Sequence, residues 1–319
     1  MIDVFPFAGY TVALYGLDAA GLTTVRAMRA SKVVVWAWDD DEAARAAARE
    51  LEIPLVDLHL CDWREPVSLV LGAEVAPGGP VEKLARAAGC EVIGDIEMLA
   101  RSQRDAGFIG VAGPAGRDNG AALIGHILQL AGREIEVGGL AGDTALGLYP
   151  LGPQQTYVTA MSGVQLQRTV SITFDVGVLL GVGDGEPDYG GDVEAYREAL
   201  KWLFHRQTEP RAAVLSLDDP VSSAIYQDLK TNGDQVVIPV SGREAVAGGV
   251  YAVNGALIDD MDGARVPVTD LSTHEALSGE DDWRTAAAAY AAARAIGIAP
   301  PTAMACIQSY PGLEEWLEG

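Results

Sequence analysis

The sequence predicts an α/β protein in two units: a Rossmann-like parallel-sheet domain over residues 1–104 and a P-loop-like α/β domain over 105–312, followed by a tail over 313–319. Three observations carry this expectation. Short apolar runs alternate with helix-favouring runs through the first hundred residues, which is the rhythm of parallel strands covered by helices. A second apolar run at 108–112 hands over to a glycine-punctuated turn, Gly113-Pro-Ala-Gly116-Arg117-Asp118-Asn119. The length of 319 residues is enough for two hydrophobic cores.

The elements follow in order. Tyr10-Thr-Val-Ala-Leu-Tyr15 reads as a strand that breaks at Gly16, and residues 20–31 read as a helix. Lys32-Val-Val-Val-Trp-Ala-Trp38 is the next strand and ends in Asp39-Asp40-Asp41. An Ala/Arg/Glu-rich helix at 42–51, the apolar stretch Val67-Ser-Leu-Val-Leu71, a helix at 80–89 and Glu91-Val-Ile-Gly94 continue the alternation. Ligand crevices in such folds lie at the carboxyl ends of the strands. In the second unit strand 108–112 leads through the turn into helix 119–131, and further strands are expected at 133–137, 155–161, 174–182, 211–216 and 235–239. Residues 246–268 read as a hairpin meander with Asn254-Gly255 as its tight turn, and helices at 283–296 and 300–309 finish the unit.

Hydrophobic residues at 49% and charged residues at 21% describe a globular chain. The net charge of −23 argues against nucleic acid and anionic membrane as partners, since both need a basic face. Cys61, Cys90 and Cys306 are odd in number and form no C-x-x-C pattern, which suits a reducing compartment and no zinc site. The start, Met-Ile-Asp-Val-Phe-Pro-Phe, lacks a basic segment before an apolar one, and no apolar run reaches membrane-spanning length. A cytoplasmic protein is expected.

The turn at 113–119 keeps the glycines of a phosphate-binding loop and loses its side chains. A working P-loop reads Gly-x-x-x-x-Gly-Lys-Ser/Thr, with Lys on the phosphates and the hydroxyl on Mg²⁺. Here Gly113 and Gly116 remain, but Arg117 stands for Lys, Asp118 for the hydroxyl residue and Asn119 follows. Two like unit charges about 4 Å apart at an effective dielectric near 20 repel by roughly 4 kcal/mol, so Asp118 opposes a triphosphate. Loss of Mg-ATP binding is expected, with no cofactor and no metal.

Several segments, in order, resemble the Mur ligase family and within it the D-glutamate-adding members. Gly16-Leu17-Asp18-Ala-Ala-Gly21-Leu resembles the first loop, and Trp38-Asp39-Asp40 the acidic end of the second strand. Val92-Ile-Gly94-Asp95-Ile-Glu97 is the most specific stretch; Val137-Gly138-Gly139, Leu217-Asp218-Asp219 and Tyr310-Pro311-Gly312-Leu313 complete the set. The resemblance implies a UDP-sugar domain, then a Mur-ligase-type central ATPase domain, without the third domain of that family. It makes Leu17, Asp18, Asp39, Asp40, Gly138 and Gly139 the UDP-sugar-binding candidates.

Measured against that family, many chemical positions differ. The metal-holding Glu falls at Ala160, the metal-binding His at Glu186 and the carbamylated Lys at Leu200, unless a one-residue slip brings in Lys201. The substrate Asn becomes Leu140, the adenine-holding run becomes Asp281-Asp282, the substrate loop Gly72-Ala73-Glu74, and the final Arg becomes Trp316. The resulting expectation is a protein without catalytic residues, a scaffold or regulator around peptidoglycan-precursor synthesis. Its partner, a protein or a second copy, would dock where the third domain lies in the family. A ligase completed by a partner chain and a UDP-sugar sensor are the alternatives.

Other patterns are weaker. Gly16-Leu-Asp18-Ala-Ala-Gly21 lacks the middle glycine of a dinucleotide fingerprint. Asp184, Glu186, Asp188 and Asp192 lack the terminal bidentate Glu of a calcium loop. His59, His126, His205 and His274 share no ligand spacing, and Ser162 and Ser171 have no paired base.

Overall fold

The computed structural model describes residues 1–140, 144–183, 189 and 192–318. Asp184, Glu186 and Asp188 lie outside the described residues. The first unit is a four-stranded sheet of β1 (Thr11–Tyr15), β2 (Val34–Trp38), β3 (Ser68–Leu71) and β4 (Glu91–Ile93). Its order is β2-β1-β3-β4 and every pairing is parallel. Helices α1 (Ala19–Ala30), α2 (Glu42–Glu50), α3 (Pro80–Ala87) and α4 (Asp95–Ser102) intervene. Their starts are written locally. Asp18 caps α1 through the Gly21 amide, Asp41 caps α2 through the Ala43 amide, and Pro80 opens α3.

The second unit holds a nine-stranded sheet: β5 (Gly107–Ala112), β6 (Ile135–Gly138), β7 (Thr156–Met161), β8 (Val176–Leu179), β9 (Thr208–Ser216), β10 (Asp234–Ser241), β11 (Val250–Val253), β12 (Ala256–Asp259) and β13 (Val266–Asp270). The order is β13-β12-β11-β10-β9-β8-β5-β7-β6, parallel from β6 to β11 and antiparallel at the β11-β12-β13 meander. The central strand β8 is buried along its whole length, and its unbroken apolar run is what a sheet covered on both faces requires.

Helices α5 (Arg117–Leu130), α6 (Gly163–Gln167), α7 (Val193–Leu200), α8 (Pro220–Asn232), α9 (Glu280–Ala295), α10 (Pro300–Gln308) and α11 (Leu313–Glu318) surround this sheet. In α9 the alanine-rich middle is buried, Glu280, Asp281 and Asp282 fill the first turn and Arg294 the last, matching the helix dipole. Residues 313–318, expected as a tail, form α11, whose Trp316 ring lies against the glycine face of α5 at Gly125. Among the described residues, four further helices were not expected from the sequence: α4, α6, α7 and α8.

The two units share one core, since residues of both contribute to a single buried cluster. Buried polar bonds also cross between them. Glu97 is fully buried and accepts from Val170 N (2.8 Å), Ser171 N (3.0 Å) and Arg101 Nε (2.7 Å). Arg168, 4% exposed, donates to the carbonyls of Gly72 (3.0 Å) and Val75 (2.7 Å). Asp95 accepts from Thr144 Oγ1 and Ala145 N, both at 3.1 Å. Among the described residues no helix is long and apolar enough to cross a membrane.

Candidate functional site

Leu17, Asp18, Asp39 and Asp40 come together at the carboxyl ends of β1 and β2. The turn from β1 into α1 is tight: a Cβ on Gly21 would lie 2.0 Å from the Gly16 carbonyl oxygen. Asp39 serves the backbone, accepting from Leu17 N at 2.7 Å and Asp41 N at 2.8 Å. Asp18 Oδ1 accepts from Gly21 N at 2.7 Å. A carboxylate of the chain itself therefore stands at the start of α1, where a bound phosphate would gain most from the amides and the dipole.

Asp40 is held by three donors from three elements: Tyr15 Oη at 2.8 Å, His59 Nε2 at 2.8 Å and Trp38 Nε1 at 3.1 Å. Burial pushes its carboxyl up, but the hydrogen bonds from His59, Tyr15 and Trp38 outweigh it and hold the pKa below the usual carboxylate value. Burial, then the bond to Asp40, pushes the Tyr15 phenol up, so it remains a neutral donor. Tyr15 and His59 were not identified as site residues by sequence spacing, because they reach Asp40 from separate elements 25 and 19 residues away.

Beside this cluster lies a cavity of about 320 Å³ lined by Tyr15, Gly16, Asp39, Leu71, Val75 and Pro80 among others. Mostly apolar walls with a carboxylate at the edge suit a flat heterocycle carrying a polar rim. Gly138 and Gly139 do not join this group. They end β6 in the other sheet, where a Cβ on Gly138 would meet Leu148 at 2.8 Å and one on Gly139 (φ +77°) the Ala160 carbonyl oxygen at 2.0 Å. Their role shown by the structure is close backbone packing.

The second candidate, at the end of β5, keeps an open turn. Gly116 is left-handed and offers no side-chain cap to α5, and Pro114, Ala115 and Gly116 are exposed. Gly113 packs on Gly181, a Cβ there meeting its carbonyl oxygen at 3.3 Å. Asp118 Oδ1 is buried and 3.7 Å from Arg117 Nε. The two charges are within ion-pair distance, but among the described residues Asp118 Oδ1 accepts no hydrogen bond. Residues 117–119 hold neither the Lys nor the hydroxyl of a working P-loop.

Asn119 is oriented from the far end of the chain. Tyr310 Oη donates to Asn119 Oδ1 at 2.7 Å, His126 packs edge-on to the Tyr310 ring at 5.4 Å, and His126 Nε2 is 3.2 Å from Ser309 Oγ. Burial lowers the His126 pKa from its ordinary 6.5, opposed by a bond to the Cys306 backbone. A depressed histidine contributes stability that is complete above the unfolded value and lost as pH falls towards the folded one. Denaturant melts at about pH 7.5 and about pH 5.5 are expected to show a larger acid loss in the natural chain than in His126→Gln. An equal loss in both removes His126 from the account.

Residues 158–289 match the Mur ligase middle domain. The whole chain is 36% identical to a UDP-N-acetylmuramoylalanine–D-glutamate ligase of Phenylobacterium zucineum (strain HLK1), covering 100% of this chain and 70% of that one. The ligase of the same name from Caulobacter vibrioides (strain NA1000 / CB15N) is also 36% identical, with the same coverage. Among solved structures, a Neisseria meningitides UDP-N-acetylmuramate:L-alanyl-gamma-D-glutamyl-meso-diaminopimelate ligase aligns with a TM-score of 0.59 at 15% identity, covering 96% of this chain and 99% of that one. That likeness concerns the fold alone. The relatives correct one expectation. The catalytically silent scaffold does not stand, because proteins 34% to 36% identical along the full chain are named as ligases. The expectation counted side chains lost at single positions, whereas the likeness to ligases runs along the full chain.

Proposed function

Because the chain belongs to the Mur ligase family, whose members are ATP-dependent amide ligases binding UDP-sugar substrates, we propose that it recognises a UDP-linked amino sugar of peptidoglycan-precursor synthesis and serves its ligation to D-glutamate, as in the MurD branch. The observation that supports this substrate class is the cavity beside Tyr15, Asp39 and Leu71 at the carboxyl edge of the first sheet. Uracil is the flat group of such a substrate, and its imide N–H can donate to a carboxylate rim of this kind.

Mg-ATP binding is lost from this chain's own side chains. Ligation therefore draws the phosphate- and metal-holding groups from outside these 319 residues. Within the present chain the turn at 113–119 contributes open α5 amides and the Arg117 charge. Those groups orient an anion; they do not replace a divalent ion in phosphoryl transfer.

Thermal unfolding with UDP, UDP-N-acetylmuramoylalanine and Mg-ATP tests both statements. At ligand a hundredfold above Kd, a UDP compound is expected to raise Tm by roughly 5 °C, and Mg-ATP to leave it unchanged. A rise with Mg-ATP alone removes the need for groups from outside. No rise with either UDP compound removes the substrate class.

A further inference from the structure

The amino edge of the second sheet carries a separate cleft of about 570 Å³, at the opposite strand ends from the carboxyl-edge turn. Its walls come from the C-terminal end of α4 (Arg101, Arg104), the segment before β8 (Ser171, Thr173, Asp175) and Arg211 of β9. Three guanidinium groups converge here in a chain of net charge −23. We propose that this cleft binds a small phosphate-bearing molecule, independently of the UDP-sugar site.

The arginines are not equally committed. Arg101 is saturated by Glu91 (2.6 and 2.8 Å) and Glu97 (2.7 Å). Arg104 uses only its Nε, on the Arg101 carbonyl at 3.2 Å, and among the described residues its terminal nitrogens make no hydrogen bond. Arg211 Nε is 3.4 Å from Asp175 Oδ1 but forms no hydrogen bond, although the atom is buried. Asp175 is itself engaged, its Oδ2 accepting from Phe108 N at 3.1 Å. Two guanidinium forks therefore have unused donors, joined by the hydroxyls of Ser171 and Thr173 on the same wall. That number of donors exceeds what one carboxylate accepts and matches a phosphate group, which guanidinium binds in two-pronged fashion. Ala100, Ala106, Phe108 and Ile172 supply an apolar wall for the rest of the ligand.

Calorimetric titration of the full chain with pyrophosphate tests the proposal, and the Arg104 and Arg211 variants distinguish this cleft from the first-sheet site. Saturable one-site binding is expected, weakened about tenfold or more in Arg104→Ala and Arg211→Ala, since hydrogen bonds to charged groups carry about 1.5–3 kcal/mol. Arg211→Lys, which keeps the charge beside Asp175, guards against a folding defect and is expected to bind with intermediate strength. No saturable heat overturns the proposal. So does binding abolished by Arg117→Ala and kept by Arg104→Ala, which places the anion at the turn after β5.

Discussion

Replacing Asp18 by glycine is expected to tighten UDP binding by about tenfold while lowering stability by about 1 kcal/mol. Asp18 stands where a dinucleotide-type loop carries its middle glycine, the residue that lets backbone approach a pyrophosphate. Its carboxylate caps α1 through Gly21 N at 2.7 Å, so the chain's own anion takes the amides a diphosphate would use. The side chain is exposed, so each like-charge pair about 4 Å apart costs nearer 1 than 4 kcal/mol. A diphosphate sets one such charge at that distance, about 1.4 kcal/mol, hence about tenfold in affinity. Losing the cap costs little when glycine replaces it, and glycine adds backbone entropy to the unfolded chain. Unchanged UDP affinity in Asp18→Gly would mean that the diphosphate does not lie at α1.

Glu97→Ala has the largest expected effect on stability, a loss of about 3–5 kcal/mol in urea denaturation. The carboxylate is fully buried and is the shared acceptor for Arg101 and for the amides of Val170 and Ser171. Removing it strands two amides and the Nε of Arg101 in the contact between the two units. Glu97→Gln keeps the shape and one acceptor oxygen, and a smaller loss is expected. A loss below about 1 kcal/mol for the alanine variant would show that water replaces the carboxylate at no cost.

The parallel strands were legible because apolar runs and glycine breaks mark them, and the meander because Asn254-Gly255 demands positive φ at both residues, which the structure has at 51° and 84°. Helix α8 was not, since its apolar positions are few: only Ser222, Ile225 and Tyr226 are buried. Helix α4 was not read either, although its Glu97 and Arg101 pair in the contact between units. At the candidate site the acidic strand ends were legible and their job was not. Asp18 and Asp39 close the turn by binding its amides, and Asp40 gathers Tyr15, Trp38 and His59. Such partners are set by tertiary neighbours that no local spacing encodes. At 113–119 the residue identities announced repulsion, and in the fold Asp118 lies within ion-pair distance of Arg117.

Competition calorimetry with UDP and Mg-ATP tests the central claim most directly, that the carboxyl edge of the first sheet takes a uridine nucleotide and this chain's own groups do not take Mg-ATP. The account predicts one saturable site for UDP, tightened in Asp18→Gly, with no heat from Mg-ATP and no displacement by it. Absence of UDP binding in both chains, or a Mg-ATP site lost on Arg117→Ala, would contradict it.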